Sequence, residues 1–306
     1  MIINNKNTSS LALGTAGFGT GVSTQEAFGL IDVYRDLGGN IIDTARVYGE
    51  SESTLGKYLA ASKCRHELII CTKGGHYDLI TQEKRINRRE IYLDVEMSLK
   101  NLGTDYADIY FLHRDDEDIP VDEIMDILHS LIRDGKICSI GVSNWHPERI
   151  RVANTYADAH NLPRIIANQI KHSAALTVYE SDPTLVSMDQ ASKECCKDEN
   201  LAVFAYTSQA KGLFSKLDRL GIDNIDEGLK REFICDENIR RFAELKALST
   251  ELDRPISQLA LATLLYDKEI DTIPIIGGKT PEQIEDSFAA TSVNMSIEQY
   301  NRIMKK

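Results

Sequence analysis

The sequence predicts a (β/α)8 TIM barrel, a single domain over residues 1–306 with a long loop after the seventh strand and a helix at the C-terminus. Three observations lead there. Apolar runs of strand length alternate with segments of helical period in eight successive units, and no linker or shift in composition interrupts them. At 306 residues and 42% apolar content the chain has the size and the apolar surface for one large core. No G-x-G-x-x-G follows a strand, since Gly14, Gly17, Gly19 and Gly21 have the wrong spacing, which disfavours a doubly wound open sheet.

The units run as follows. Residues 10–15 (SLALGT) are the first strand, followed by a glycine-rich loop and a helix that Thr24 caps and Gly38-Gly39 end. Asn40 to Thr44 is a short buried strand ending in Asp43, with Tyr48-Gly49 in the loop beyond it and a helix opening at Ser51. Glu67 to Lys73 is the third strand. A helix over Arg89 to Leu102 sets Ile91, Val95, Met97, Leu99 and Leu102 mostly on one side. Ala107 to His113 is the fourth strand, with a helix from Val121 to Asp134, and Ile137 to Asn144 is the fifth, with a helix starting at Pro147. Ile165 to Ile170 and Leu201 to Tyr206 are the sixth and seventh, with a helix within 185–197 between them. Thr207 to Cys235 reads as irregular, too long for an ordinary connection and hence a lid. Helices over 237–252 and 257–266 precede the eighth strand, Thr272 to Ile276, and helices from Pro281 and Ser296 close the chain. No hairpin is obvious before Ser10.

The formal net charge of −12 argues against general nucleic-acid or anionic-membrane binding, both of which need basic surface. No apolar run approaches the ~20 residues that span a bilayer, and the N-terminus lacks the order of a secretory signal. The six cysteines show no zinc spacing, and Cys71 and Cys138 fall inside predicted buried strands. A cytoplasmic, metal-free protein is expected.

In such barrels the site lies at the C-terminal ends of the strands. Asp43, Lys73, His113, Ser143, Asn144 and Gln169 all fall there. Any one of them alone serves as a turn cap, but charged residues ending several consecutive apolar strands are costly unless paired. Their chemistry suggests a use. A phenol ionises near pH ~10, and a nearby ammonium favours its phenolate. With Asp43 holding Lys73 charged, Tyr48 donates a proton to a carbonyl oxygen while His113 orients that carbonyl. None of these side chains supplies a hydride, so the scheme requires a nicotinamide cofactor.

Residues 40–45 (NIIDTA) with Tyr48-Gly49 and Ser51-Glu52, the Thr72-Lys73 strand end, residues 105–113 (DYADIYFLH), and Gly135-Lys136 followed by residues 140–144 (IGVSN) together resemble the aldo-keto reductase family. The likeness runs from about Ser10 to the C-terminus. It implies a catalytic tetrad of Asp43, Tyr48, Lys73 and His113. It also implies a site for NADP(H), with NAD(H) as the alternative. There Ser143, Asn144 and Gln169 hold the nicotinamide carboxamide, Tyr206 stacks on its ring, and Gly212 and Leu213 cover the pyrophosphate. Gly277, Gly278, Lys279, Gln283 and Asp286 lie in the segment that holds the adenosine phosphate. The chain departs from the usual pattern at residues 207–211 (TSQAK), where S-P-L is common, at Gln283, where many members carry arginine, and at Asp286-Ser287, which replaces E-N.

The first functional reading is therefore an NAD(P)H-dependent oxidoreductase interconverting an aldehyde, ketone or sugar carbonyl and its alcohol. The alternative is a non-catalytic barrel that binds NADP(H) as a redox sensor. A lyase using Lys73 as a Schiff base ranks below both, because Asp43 keeps the amine charged. Arg114, Asp115, Asp116, His76, Tyr77 and Trp145 are expected to line the substrate pocket, a set polar enough to favour a hydroxylated substrate such as a sugar. Oligomeric state is not legible.

Overall fold

The computed structural model describes residues 1–305. Eight parallel strands close a barrel in chain order: β3 (Ala12–Gly14), β4 (Ile41–Asp43), β5 (Ile69–Gly74), β6 (Ala107–Leu112), β7 (Ile137–Ser143), β8 (Ile165–Lys171), β9 (Ala202–Tyr206) and β10 (Asp271–Ile276), which pairs back onto β3. The predicted strand ends hold to within two residues.

Two strands precede the barrel, where none was expected. β1 (Ile2–Ile3) and β2 (Lys6–Asn7) form an antiparallel hairpin across Asn4 and Asn5, both at positive φ. Such short strands carry no detectable period, and the signal is the Asn-Asn pair, a residue type that tolerates the left-handed turn. The hairpin plugs the floor: Ile3 is buried with Ile41, Ile69, Ile109, Phe111, Ala167 and Phe204 in the barrel interior. Phe111 and Phe204 meet edge to face at 5.3 Å.

Helices α1 (Thr24–Asp36), α2 (Ser51–Ser62), α3 (Arg88–Leu102), α4 (Val121–Arg133), α5 (Pro147–Ala159) and α6 (Gln190–Asp198) wrap the barrel in order. The cap of α1 is Ser23 rather than Thr24, in a reciprocal capping box with Glu26. On α3 the buried stripe is Ile91, Asp94, Val95, Ser98, Leu99 and Leu102, and Met97 lies off it, exposed. Asp94 takes the place of an apolar residue because Arg85 and the Gly75 amide satisfy it. Cys71 is buried as expected, but Cys138 is exposed near the start of β7.

The stretch 207–235 is not irregular. A 3-10 turn over Ala210–Gly212 leads into α7 (Leu213–Leu220), a second 3-10 turn over Ile222–Asn224 and α8 (Glu227–Phe233). Leu213, Phe214, Leu217, Leu229 and Phe233 pack against α9 (Asp236–Leu252), α10 (Ile256–Tyr266) and α12 (Ile297–Met304). Glycines at 212, 221 and 228 break the period into pieces too short to read locally, and the apolar residues find their partners far along the chain. Helix α11 (Pro281–Ala289) packs beside α1. Among the described residues no helix is long and apolar enough to cross a membrane.

Candidate active site

Parallel register sets the site. Asp43 ends β4 opposite Cys71, so Lys73, two residues further on β5, reaches back over the strand end to it. The Lys73 ammonium donates to Asp43 Oδ2 and to the Thr44 carbonyl, each at 2.7 Å, and has no solvent exposure. Gln169 on β8 donates to Asp43 Oδ1 at 2.8 Å across the barrel. Burial works against the ammonium, but the Asp43 carboxylate outweighs it and holds Lys73 above the ordinary lysine value. A buried amine held charged by a carboxylate makes a poor Schiff-base nucleophile.

Tyr48 sits in the loop from β4 to α2. Lys73 Nζ lies 4.9 Å from its ring centroid, and the His113 ring meets it edge to face at 5.7 Å. Burial, and then the charges of Lys73 and Arg114, push the His113 imidazole far below the usual histidine value, so it is neutral at neutral pH. Its Nδ1 is buried without a partner. All four members of the expected tetrad thus meet at one place.

Other groups, to which no role was assigned from the sequence, hold that loop. Ser51, buried, bonds Thr15 Oγ1 at 2.7 Å and Thr44 Oγ1 at 2.9 Å, tying the start of α2 to the ends of two strands. Glu52, also buried, accepts from Thr72 Oγ1 at 2.6 Å on the outer face of the strand that carries Lys73. The only available signal was a Ser-Glu pair opening a helix directly after Tyr48-Gly49.

Tyr48, Asp43 and His113 open onto a cavity of about 930 Å³ at the C-terminal end of the barrel, and Lys73 stands behind them. Phe18, Val22, Val47, Leu185 and Tyr206 make much of the wall apolar. Of the six residues expected to make it polar, His76 and Arg114 line it. Trp145 is fully buried in the core, with Nε1 donating to the Arg114 carbonyl. Asp115 is paired with Arg149 at 2.9 Å and Asp116 with Lys84 at 2.6 Å. Tyr77 turns to Asp182 at 3.1 Å. Partners on other elements draw these carboxylates away from the cavity.

The cavity continues into a second of about 660 Å³, which shares Gly277, Gln283 and Lys216 with it. Along this cleft lie the residues expected to hold a dinucleotide, Leu213 excepted. Ser143 Oγ accepts from Asn144 Nδ2 at 3.0 Å, and Asn144, at positive φ, receives the Tyr206 hydroxyl. Gly212, also at positive φ, precedes α7 and lines the cleft, whereas Leu213, expected beside it, is fully buried among the helices because its side chain packs with α9, α10 and α12. At Gly277 an added Cβ would meet nothing within 4 Å, whereas at Gly278 it would stand 3.0 Å from Gln283 Cβ. The Thr280 side chain does not cap α11; in its first turn Pro281 has no amide hydrogen and the Gln283 amide donates to the Thr280 carbonyl at 3.2 Å, so a phosphate here would rest on the charge of Lys279 and the positive end of the helix. Gln283 folds back to accept from the Lys279 amide at 2.7 Å. The Asp286 carboxylate is held by Ser257 at 2.7 Å and Gln258 at 2.8 Å. An extended cleft with Lys279 and a helix N-terminus at one end and carboxamides at the other fits a nicotinamide dinucleotide.

The sequence matches the model of the aldo/keto reductase family over residues 10–306. The chain belongs to the aldo-keto reductase family. Among its relatives is an aryl-alcohol dehydrogenase of Pestalotiopsis microspora, 30% identical over 94% of this chain and 74% of the relative. A norsolorinic acid reductase of Emericella nidulans is 29% identical over 96% and 77%. An enzyme named aldo-keto reductase, also of Emericella nidulans, is 28% identical over 95% and 76%. This aldo-keto reductase is accordingly an oxidoreductase of the carbonyl and CH-OH class that uses a nicotinamide cofactor.

Proposed function

We propose that this aldo-keto reductase reduces aromatic aldehydes or ketones to alcohols with NADP(H), Tyr48 acting as the general acid. The observation that carries the reading is the buried Asp43–Lys73 pair standing behind Tyr48 at the wall of a largely apolar cavity. The bound nicotinamide supplies the hydride. Tyr48 gives its hydroxyl proton to the carbonyl oxygen, and the Lys73 ammonium stabilises the phenolate that remains. Asp43 keeps that ammonium charged and fixed. His113, neutral, donates a hydrogen bond that orients the carbonyl. In the oxidative direction Tyr48 takes the alcohol's proton back.

Aromatic substrates rank above sugars for two reasons. The carboxylates that would have made the pocket polar are committed to Arg149 and Lys84, and two of the relatives are named for aryl alcohols and norsolorinic acid. The preference for NADP(H) rests on Lys279 and Lys216 along the cleft and on Asp286, whose carboxylate is tied back to α10. The test is steady-state turnover of benzaldehydes, aryl ketones and aldoses with each cofactor. Higher kcat/KM on aldoses than on benzaldehydes would overturn the substrate class, and tighter NADH than NADPH binding the cofactor preference.

A further inference from the structure

A separate cavity of about 320 Å³ lies on the outer side of the catalytic one, between the β4–α2 and β5–α3 loops. Val47 and His76 line both, so one wall serves the two spaces. Its rim is apolar: Leu79 is 61% exposed and Ile80 92%. Its charged lining is almost entirely committed. Arg85 is paired with Glu90 at 2.7 Å and Asp94 at 2.6 Å, and Asp94 also accepts from the Gly75 amide. Asp78 accepts from the Ile80 and Thr81 amides, each at 2.8 Å. Lys73 is closed by Asp43 and the Thr44 carbonyl.

Arg46 is the exception. Its backbone is fixed, the amide donating to the Lys73 carbonyl at 2.9 Å. Its side chain meets no carboxylate among the described residues: Nε is buried with no acceptor, and one terminal nitrogen reaches only the Met97 sulfur, at 3.5 Å. A buried guanidinium donor left without an acceptor is costly, and a planar carboxylate is the group whose geometry matches its N–H fork. With one uncommitted cation and two carboxylates in the same wall, a monoanion suits the cavity better than a phosphate dianion.

We propose that this cavity is a distal subsite for carbonyl substrates that carry a carboxylate: the carbonyl lies beside Tyr48, the chain passes the Val47–His76 wall, and Arg46 anchors the acid. The proposal rests on the carbonyl-reductase reading for its substrate, but not for its binding event. Two measurements on the full chain separate them. In the first, ω-oxo acids of increasing length are compared with their methyl esters. The acid is expected to be preferred at one favoured length, and Arg46→Leu to bring the acid-to-ester ratio of kcat/KM down roughly 10- to 100-fold, with Arg46→Lys retaining part of it. In the second, the unreactive carboxylate octanoate is titrated calorimetrically, and binding to the wild type is expected to weaken by a similar factor in Arg46→Leu. Equal use of acids and esters at every length, together with no octanoate binding to the wild type, overturns the subsite even if Arg46→Leu does not fold. Octanoate binding of equal strength in Arg46→Leu overturns it as well. Arg46-dependent octanoate binding without turnover of any carbonyl supports the subsite and sinks the carbonyl-reductase reading instead.

Discussion

The barrel carries a buried ion cluster at each end, and the two are built to different specifications. At the floor, Asp108 on β6 has no exposure and is fully engaged: Lys6 at 2.7 Å, Arg65 at 2.8 Å, Asn4 at 2.8 Å and the Ile70 amide at 2.9 Å. Burial alone would raise its carboxyl, but Arg65, Lys6 and Asn4 hold it below the ordinary range. At the mouth, Asp43 and Lys73 are as deeply buried, yet their neighbours are not closed off, since Tyr48 faces a cavity and His113 Nδ1 lacks a partner. A saturated cluster locks the hairpin to the barrel. A cluster with open neighbours has capacity left for a substrate.

That contrast is open to breaking. Tyr48→Phe removes the proposed acid and almost no volume, so kcat is expected to fall about 10²- to 10⁴-fold. NADPH affinity by fluorescence titration and the melting temperature should stay near wild type; near-normal turnover would end the role given to Tyr48. Asp108→Asn is expected to do the opposite. Leaving Lys6 and Arg65 without their carboxylate should cost about 3–5 kcal/mol in denaturant unfolding while the folded fraction keeps its kcat. A loss of activity without loss of stability there would erase the distinction between the two ends.

Smaller effects sharpen it. Lys279→Ala is expected to weaken NADPH binding about tenfold, the size of one charge-assisted hydrogen bond, and to leave NADH binding nearly unchanged. Equal losses for both cofactors would place Lys279 on the pyrophosphate rather than the 2′-phosphate. The last is a pH effect. Burial, above all, holds His172 down at about 4 and pushes His113 well below 6.5 and His76 lower as well. The unfolded chain takes up these protons near 6.5 and the folded chain does not, so the stability they provide is full above that pH and is lost as pH falls toward 4. Each group contributes at most about 1.4 kcal/mol per pH unit. Melting temperature is expected to decline on acidification through that window, and less steeply in His172→Gln; an unchanged slope would remove His172 from the account.

The parts legible in the sequence are those whose information is local. Asp43, Lys73, His113 and Ser143 could be found because each sits at the end of an apolar run whose length and boundaries are visible, and parallel strands put such ends at one face. The pocket lining was read less well. Asp115, Asp116 and Trp145 stand beside His113 and Asn144 in sequence, but Arg149, Lys84 and the core draw them elsewhere.

The eight strand–helix units, the polar residues at the strand ends and the turn residues around Tyr48 are thus legible in the residues alone. Period, caps and glycines act over a few residues and need no partner to be recognised. Packing across the chain settles that Ile3 fills the floor, that residues 213–220 and 227–233 become helices, that Ser51 and Glu52 brace the site, and that Arg46 Nε is left with no acceptor. Each of these depends on a partner from a distant part of the chain, or on the lack of one, and strand register and helix packing settle both.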